Sequence, residues 1–349
     1  MPQFTIGIPT WNRADFLKRA LASALDQTAA DVEVIVCDNA SSDGTAEVVR
    51  SCGDRVRYHR NDTNIGATAN FEKAFALATS PYFSWLQDDD LIHRDFVRRA
   101  LDAFGAAGDV AGYACYSVKT PSPTTFYHSI LTGPAVPTNW MRGGLTLVEG
   151  VLVAPVSLLY SFGNPPALAY RAADLRRALE TGRHRCTLFD ERILLAGTVF
   201  GGTVAVDPWP GAIFSDHYDQ DYKRIFREEP EARTTQWYIL ADAMGDLLAG
   251  RGDGWKAPLQ AYFREVPIEY RLAWLRFYCP DVDAWRKANP IAGEVWGMLI
   301  ESIPAESRPA YLNAPAPVRL LKGRAKSLVK EVTPPLIWNL LRKRLQLTT

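Results

Sequence analysis

Short apolar runs alternate with amphipathic segments over the first part of the chain. The apolar runs predict four strands, at residues 4–8, 33–37, 55–59 and 82–86. Between them, apolar residues recur at three- and four-residue spacing, which predicts helices that begin at Ala14, after Thr45 and at Ala67. This alternation of strands and helices is typical of an α/β fold whose mostly parallel sheet has helices on both faces.

Further elements follow with less regular spacing. They are a helix at 95–104, a strand at 112–118, a helix at 172–179, a helix that opens at 189–192 and a strand at 203–206. Residues 120–137 are rich in Pro, Ser and Thr and predict a long loop, and a second loop is expected to run from Asp207 through Asp219. After Glu231 long helical patterns replace the strands. We therefore expect an α/β domain at 1–225 and a helical region at 226–349.

Composition limits the class of protein. The 349 residues are 47% hydrophobic and 22% charged, as in soluble globular proteins with a buried core. Lys plus Arg equals Asp plus Glu at 39 each, so no overall charge attracts nucleic acid. The five scattered cysteines include no C-x-x-C pair and favour reduced thiols. No basic and apolar leader and no apolar span of about 20 residues is visible, so we expect a cytoplasmic protein, soluble or peripheral on the plasma membrane.

Three consecutive carboxylates, Asp88, Asp89 and Asp90, follow the fourth predicted strand. Like charges in one small volume are unfavourable unless a cation or hydrogen-bond donors neutralise them. The carboxyl ends of strands in open α/β sheets are also where ligands bind. The triplet therefore favours a site for a hard cation that faces a phosphate-bearing ligand. The alternative is a solvated acidic turn that caps the next helix, since Asp is favoured at helix starts.

Polar residues also follow the first two predicted strands. Thr10, Asn12 and Arg13 come after the first strand, and Asp38 and Asn39 come after the second. Parallel neighbours deliver these side chains to the edge that carries the Asp triplet. Asp38 is either a turn residue or a carboxylate that accepts hydrogen bonds from a base or a ribose. The absence of a glycine-rich, basic loop after the first strand disfavours a nucleotidyltransferase.

Four segments occur in a fixed order along this part of the chain: T-I-G-I-P-T-W-N-R, V-I-V-C-D-N-A-S-S-D-G-T, N-I-G-A-T-A-N-F-E-K-A and F-S-W-L-Q-D-D-D. Together they resemble the N-terminal half of the family 2 glycosyltransferases with the GT-A fold. The resemblance is strong over residues 3–100 and weakens towards residue 217. It implies inverting transfer of a sugar from a nucleotide-sugar donor with Mn²⁺ or Mg²⁺. The acceptor it suggests is a glycan or lipid-linked molecule, in the synthesis of a bacterial surface polysaccharide.

The resemblance also implies roles for individual residues. The donor-binding residues it points to are Pro9, Thr10, Asn12, Arg13, Asp38, Asn39, Asn64, Gly66 and Asp88. Among these, Asp38 would bind the base, Asp88 the ribose side of the donor, and Arg13 would lie near the diphosphate.

The metal ligands remain open in the sequence. The resemblance implies that Asp89 reaches the metal and the diphosphate, but Gln87 stands where relatives carry the first Asp of D-x-D-D. Either Asp89 or Asp90 would then hold the ion. Because only residues two apart share a side of an extended strand, Asp88 and Asp90 are an alternative pair. His217 stands where some relatives have a metal- or phosphate-contacting histidine, the alternative being a plain surface side chain.

A base must take the proton from the acceptor hydroxyl during the attack. The resemblance places an acidic pair before a helix, and here that pair is Asp190 and Glu191, in the reverse of the commoner order. Either carboxylate is a candidate for the base. The alternative is that Asp190 caps the helix and Glu191 lies in its first turn. Gln87 and the reversed pair also admit a second function, a nucleotide-sugar-binding protein without turnover.

Residues 319–344 carry eight basic side chains and a single acid, interleaved with leucines and a tryptophan. A basic amphipathic segment of this kind binds anionic membrane surfaces. The alternative is a pair of helices packed on the sheet with a solvated basic face. The membrane version would suit a lipid-linked acceptor.

Overall fold

The structure is a computed structural model. It describes residues 2–120, 130–131, 144–158, 165–182, 191–215, 217, 220, 228, 230–278 and 289–308. The predictions for Asp190 and for the basic segment 319–344 lie outside the described residues.

One mixed sheet forms the centre of the molecule. Its strands are β1 (Phe4–Thr10), β2 (Val32–Asp38), β3 (Arg57–Arg60), β4 (Tyr82–Trp85), β5 (Leu91–Ile92), β6 (Val110–Thr120), β7 (Ile130–Leu131), β8 (Thr146–Glu149), β9 (Leu168–Arg171) and β10 (Thr203–Ser215). Their order is β3-β2-β1-β4-β9-β6-β10-β5, with β7 beside β6 and β8 beside β10.

The N-terminal strands are parallel, as predicted. β1 pairs in parallel with β2 and β4, and β2 pairs in parallel with β3. β9 is antiparallel to both β4 and β6, and β10 is parallel to β6. Two reversals restore the original direction, so β10 points the same way as β1. The carboxyl ends of β1, β2, β4 and β10 therefore lie at one edge of the sheet.

Helices cover both faces of this sheet. They are α1 (Ala14–Leu25), α2 (Thr45–Arg50), α3 (Ala67–Ala76), α4 (Phe96–Ala106), α5 (Gly150–Ser157), α6 (Ala172–Glu180), α7 (Glu191–Val199), α8 (Pro230–Ala249), α9 (Lys256–Glu265), α10 (Ile268–Tyr278) and α11 (Pro290–Glu301). In β2, Val34 and Val36 enter the core under α1 and α4, whereas Ile35 and Cys37 enter the core under α3, α5, α6 and α7. This alternation has the period of two that a strand buried on both faces requires.

The helices after residue 230 extend the second of these two cores. Leu240 and Met244 of α8 and Trp296 of α11 are fully buried in the same cluster as Leu194 of α7. The helical character predicted for this part of the chain is therefore confirmed for its described residues. None of the helices formed by the described residues has the length and hydropathy needed to cross a bilayer.

The prediction of a loop after Asp207 was wrong. β10 continues to Ser215, with shifts of register between Asp207 and Pro210 and between Pro210 and Ala212. Proline cannot donate to a ladder, so Pro208 and Pro210 suggest a strand end, yet a bulged strand accommodates them. β7 likewise lies within the predicted loop at 120–137, where pairing with β6 provides a strand that the composition does not reveal.

Candidate active site

The ends of three parallel strands meet at one edge of the sheet. Thr10 at the end of β1 is the register partner of Asp38 at the end of β2. After β4, the Leu86 N–H donates to the Gly7 carbonyl over 3.0 Å, so the chain follows β1 for one more residue. The Asp triplet then begins two residues later. The predicted site residues of all three segments are thus neighbours.

The Asp triplet lies in a turn, in which the Asp90 N–H donates to the Gln87 carbonyl over 3.2 Å. Asp88, Asp89 and Asp90 are only 4%, 7% and 1% exposed. This burial excludes the solvated acidic turn. The alternative pair of Asp88 and Asp90 depended on an extended backbone, in which residues two apart share a side. The turn does not have that periodicity, so this argument for the pair no longer applies.

One guanidinium bridges two of the three carboxylates. Arg13 Nη1 lies 3.3 Å from Asp88 Oδ1 and 3.2 Å from Asp89 Oδ2. Thr10 Oγ1 donates to the other oxygen of Asp88 over 2.7 Å. His217 Nε2 lies 2.8 Å from Asp89 Oδ2. Residues distant in sequence therefore converge on the Asp88 and Asp89 carboxylates.

The end of β10 joins this cluster from the other side. The Ser215 N–H donates to Asp90 Oδ1 over 2.8 Å, and the Ser215 hydroxyl donates to the Asp89 carbonyl oxygen. The His217 ring stacks on Phe16 of α1, with ring centroids 4.8 Å apart. The sequence interpretation missed Ser215, since no local signal connects it with residues about 125 positions earlier.

Among the described residues, the cluster contains three buried carboxylates and one guanidinium, and ionisation of two of these carboxylates is disfavoured. Burial raises the pKa of Asp88 to about 6, although Arg13 opposes this shift, and the Asp89 carboxylate adds to it. The pKa of Asp90 is raised well above its ordinary value, first by burial and then by Asp89. Within the described residues, Asp90 Oδ2 is buried without a hydrogen-bond partner. Such a site is completed by a bound cation or donor.

The side chains fit a divalent cation that shares its shell with phosphate oxygens. Asp89 Oδ2 and His217 Nε2 are an oxygen and a nitrogen only 2.8 Å apart, and Asp90 has a buried oxygen without a partner among the described residues. In the part of the chain that the structure describes, no three His, Cys, Asp or Glu side chains converge as a complete metal site. Mg²⁺ and Mn²⁺ accept one or two carboxylates when substrate phosphates and water supply the rest.

Asp38 is held inside the loop between β2 and α2 and is fully buried. The Ser41 N–H donates to Asp38 Oδ1 over 2.8 Å, and the Tyr58 hydroxyl donates to Oδ2 over 2.6 Å. Arg60 Nε lies 3.5 Å from the same Oδ2. Contact between Asp38 and a base would therefore require this loop to open, because the carboxylate is fully buried. Tyr58 was not predicted, because nothing in the pattern of β3 distinguishes it.

Asn12 joins the first two loops. Its φ of 52° lies in the left-handed region, which Asn tolerates better than most residues do. Asn12 Oδ1 accepts from the Ser42 N–H over 2.7 Å, and the Asn12 N–H donates to Ser41 Oγ over 2.9 Å. Pro9, which precedes this loop in β1, is buried and is the register partner of Cys37.

Asn64 and Gly66 lie in a third loop, between β3 and α3, and Asn39 contacts this loop from the end of β2. Asn39 Nδ2 donates to Asn64 Oδ1 over 2.7 Å, and the Gly66 N–H donates to the same oxygen over 2.9 Å. Gly66 has a φ of 87°, a conformation that strongly favours glycine.

Glu191 is the first residue of α7 and is partly buried. Its neighbour Asp190 lies outside the described residues. The assignment of the base to either carboxylate therefore stays a prediction.

Comparison with known proteins identifies this architecture. Residues 5–148 match the sequence model of glycosyl transferase family 2. The N-terminal part of the chain is therefore similar to the members of this family. The family 2 region contains β1–β4, the three loops and the Asp triplet, whereas Glu191 and His217 follow it.

Curated relatives match within the same part of the chain. An uncharacterized glycosyltransferase of Rickettsia bellii (strain RML369-C) is 35% identical over 140 residues, which are 38% of this chain and 20% of that protein. Chondroitin synthase of Pasteurella multocida (strain Pm70) is 34% identical over 107 residues, 30% of this chain and 11% of that protein. Validoxylamine A glucosyltransferase of Streptomyces hygroscopicus subsp. jinggangensis (strain 5008) is 32% identical over 138 residues, 38% of this chain and 33% of that protein. The match thus spans a third or less of the length of these relatives.

A solved structure extends the comparison beyond the family 2 region. The structure of S. aureus TarS 1-349 in complex with UDP-GlcNAc has a TM-score of 0.54 and covers 86% of this chain and 91% of that chain, at 15% sequence identity. At this identity the likeness establishes the fold. The predicted GT-A type α/β fold with a helical C-terminal region is confirmed.

Proposed function

We propose that the chain transfers a sugar from a nucleoside-diphosphate sugar to an acceptor hydroxyl, with inversion at the anomeric carbon and with Mn²⁺ or Mg²⁺. The observation that carries this proposal is the buried Asp88–Asp89–Arg13–His217 cluster at the carboxyl edge of a family 2 domain. Its three buried carboxylates, with one guanidinium beside them among the described residues, favour a cationic partner, and the diphosphate of a donor would be neutralised by the same cation.

The bound cation supplies charge neutralisation of the nucleoside diphosphate as it leaves the sugar. Asp89 and His217 would hold it, while Asp90 offers a further oxygen. The Arg13 guanidinium contacts Asp88 and Asp89 and is only partly buried. It can therefore leave these carboxylates and bind the diphosphate when a donor arrives. Thr10 keeps Asp88 in position through its 2.7 Å hydrogen bond.

The nucleoside half of the donor is proposed to lie over the three loops that follow β1, β2 and β3. Pro9, Asn12, Asp38, Asn39, Asn64 and Gly66 belong to these loops or to the strand ends before them. Their hydrogen bonds connect the loops to one another and preorganise this surface before a ligand arrives. Preorganisation lowers the entropy that binding must remove.

The acceptor is proposed to be a glycan or a lipid-linked molecule, and the protein to act in the cytoplasm, in contact with the membrane through its basic segment. Support for a glycan comes from the match to a relative named chondroitin synthase. Support for the membrane comes from the charge and apolar pattern of residues 319–344 alone.

A thermal-shift panel tests donor and metal binding. UDP, GDP, ADP, dTDP and their common sugars are compared with and without Mn²⁺, since a ligand that binds only the folded state raises its melting temperature. We expect at least one nucleotide to give a shift that depends on Mn²⁺. Asp89→Asn should abolish the dependence on Mn²⁺, and Asp102→Asn, at an exposed position on α4, serves as the matched control. A panel without any shift for the wild-type protein contradicts the proposal.

The base is tested separately, and this test distinguishes an enzyme from a nucleotide-sugar-binding protein. Asp190→Asn and Glu191→Gln are expected to retain donor binding, and one of them should lose transfer by a factor of about 10² or more. Release of nucleoside diphosphate in the presence of acceptor measures the transfer. If both variants keep full transfer, neither carboxylate is the base. If the wild-type protein binds donor but transfers to no acceptor, the binding function is favoured.

A further inference from the structure

Four asparagines form a connected hydrogen-bond network beneath the loop between β3 and α3. They are Asn39 after β2, Asn61 and Asn64 in the loop, and Asn70 in α3. Asn39, Asn61 and Asn70 are only 3%, 8% and 3% exposed. Asparagine amides are buried to this degree when hydrogen bonds satisfy them. The sequence interpretation included Asn39 and Asn64 but neither Asn61 nor Asn70.

The network begins at the backbone of β2. Asn70 Nδ2 donates to the Cys37 carbonyl oxygen over 2.9 Å, and Asn70 Oδ1 accepts from Asn61 Nδ2, also over 2.9 Å. Asn61 Nδ2 also lies 3.1 Å from Asn39 Oδ1, and the Asn61 N–H donates to the Asp38 carbonyl oxygen over 2.8 Å. Asn70 thereby connects the end of β2 with the start of the loop.

Asn39 uses both halves of its amide on the far side of the loop. Its Oδ1 accepts from the Ile65 N–H over 2.9 Å, and its Nδ2 donates to Asn64 Oδ1 and, over 3.3 Å, to the Gly66 carbonyl. The backbone of Ile65 is therefore fixed from inside the protein while its side chain is 44% exposed. The network thus determines where the Ile65 side chain and the Gly66 backbone lie beside the loops that carry Asn12 and Asp38.

We infer that Asn70 is a positioning residue for the nucleotide donor. Through Asn61 and Asn39 it fixes loop 61–66 in the shape that presents Ile65 and Gly66 at the donor site. This inference rests on the proposed function. Asn70 is itself too deeply buried to contact a donor, so its effect is indirect.

Both the NH₂ group and the oxygen of the Asn70 amide make hydrogen bonds that hold the loop. Its NH₂ group donates to a carbonyl and its oxygen accepts from Asn61. A carboxylate at this position would place an oxygen against the Cys37 carbonyl. Alanine would remove the donor to that carbonyl and one of the two acceptors of the Asn61 amide. An unmade buried hydrogen bond is more unfavourable than the bond itself is stabilising, so both changes should loosen the loop.

The test compares Asn70→Asp and the milder Asn70→Ala with a control, Asn289→Ala. Asn289 is also a buried amide, and it caps α11 by accepting from the Ile291 and Ala292 N–H groups. In both Asn70 variants we expect hydrogen–deuterium exchange at 61–66 to be about tenfold faster and the donor KM to rise about tenfold, with kcat changed less than about twofold. The control should lose thermal stability without either effect.

The possible outcomes separate the inference from the proposed function. Unchanged exchange at 61–66 in both Asn70 variants overturns the inference, and so does faster exchange with an unchanged donor KM. Equal effects in Asn289→Ala also overturn it, since they would reflect a general loss of stability. A wild-type protein that binds none of UDP, GDP, ADP or dTDP overturns the proposed function and the donor role together. The exchange data would then still decide whether Asn70 holds the loop.

Discussion

At the scale of single residues, the candidate site brings together carboxylates whose ionisation the fold opposes. Asp88, Asp89 and Asp90 are all buried, and one partly buried guanidinium serves two of them. Charges brought together in this way raise the free energy of the ligand-free fold, because burial and mutual repulsion both oppose ionisation. Active sites commonly sacrifice stability in the same way.

Asp90→Asn should therefore stabilise the ligand-free protein. The substitution removes one carboxylate and its repulsion with Asp89, while the Asn oxygen still accepts from the Ser215 N–H. We expect the free energy of unfolding at pH 7 to rise by about 1–2 kcal/mol in urea titrations. Asp102→Asn should change it by less than about 0.5 kcal/mol, because that carboxylate is on the surface. A destabilised Asp90→Asn protein would show that the triplet is already neutralised without ligand.

At the scale of elements, β10 carries residues from late in the chain to the Asp triplet, and α4 holds its bulge in place. Asp207 of β10 is nearly fully buried. Its carboxylate accepts two hydrogen bonds from Arg99 of α4, from Nε to Oδ2 over 2.7 Å and from Nη2 to Oδ1 over 2.8 Å. The Tyr113 hydroxyl donates to the same carboxylate, and the guanidinium lies 4.6 Å from the centre of the Trp209 ring. These contacts fix the backbone of β10 at the bulge and so determine where the strand leads to Ser215.

Arg99→Ala should be strongly destabilising, because it leaves the buried Asp207 carboxylate with Tyr113 as its remaining donor from this cluster. Loss of one partner of a fully buried ion pair lowers the free energy of unfolding by about 3–5 kcal/mol. Because Arg99 is 36% exposed and only Asp207 is buried, we expect a loss of about 2–3 kcal/mol. The neighbouring Arg98 pairs with Asp102 on the exposed face of α4, so Arg98→Ala should lower it by less than about 1 kcal/mol. Chemical denaturation of the two variants measures the difference. Equal effects would mean that the Asp207 pair contributes no more than a surface pair.

At the scale of the whole molecule, one of the two cores of the GT-A sheet continues into the helices that follow it. Buried side chains of α8, α9 and α11 lie in the same cluster as those of α5 and α7, so the predicted division at residue 225 separates types of secondary structure and does not separate two cores. The division into domains itself stays a prediction. The basic segment 319–344 lies beyond these helices in sequence and is predicted to meet the membrane.

Removal of residues 317–349 should reduce membrane binding. We expect the full chain to sediment with vesicles that contain anionic lipid, and less so at high salt, because each basic residue near the surface contributes about 1 kcal/mol. The truncated protein should remain in the supernatant, and vesicles of neutral lipid provide the control. Equal partitioning of the two proteins would contradict a role for the segment at the membrane.

Local pattern by itself determined the first half of the fold and much of the site. The strands β1 to β4, the helices between them and the polar strand ends all follow from spacing within a few residues, since helices and strands have fixed periods. Parallel pairing then requires Thr10, Asp38 and the Asp triplet to share an edge, which the structure shows.

Only the tertiary structure decided which side chains complete that edge. Ser215 and His217 reach Asp89 and Asp90 from more than 120 positions away, and they do so because β10 continues through a bulge that its prolines conceal. Asn70 and Tyr58 take their roles from hydrogen bonds across the loops and have no pattern of their own. Such partners depend on packing between distant segments, which the period of a single helix or strand does not encode.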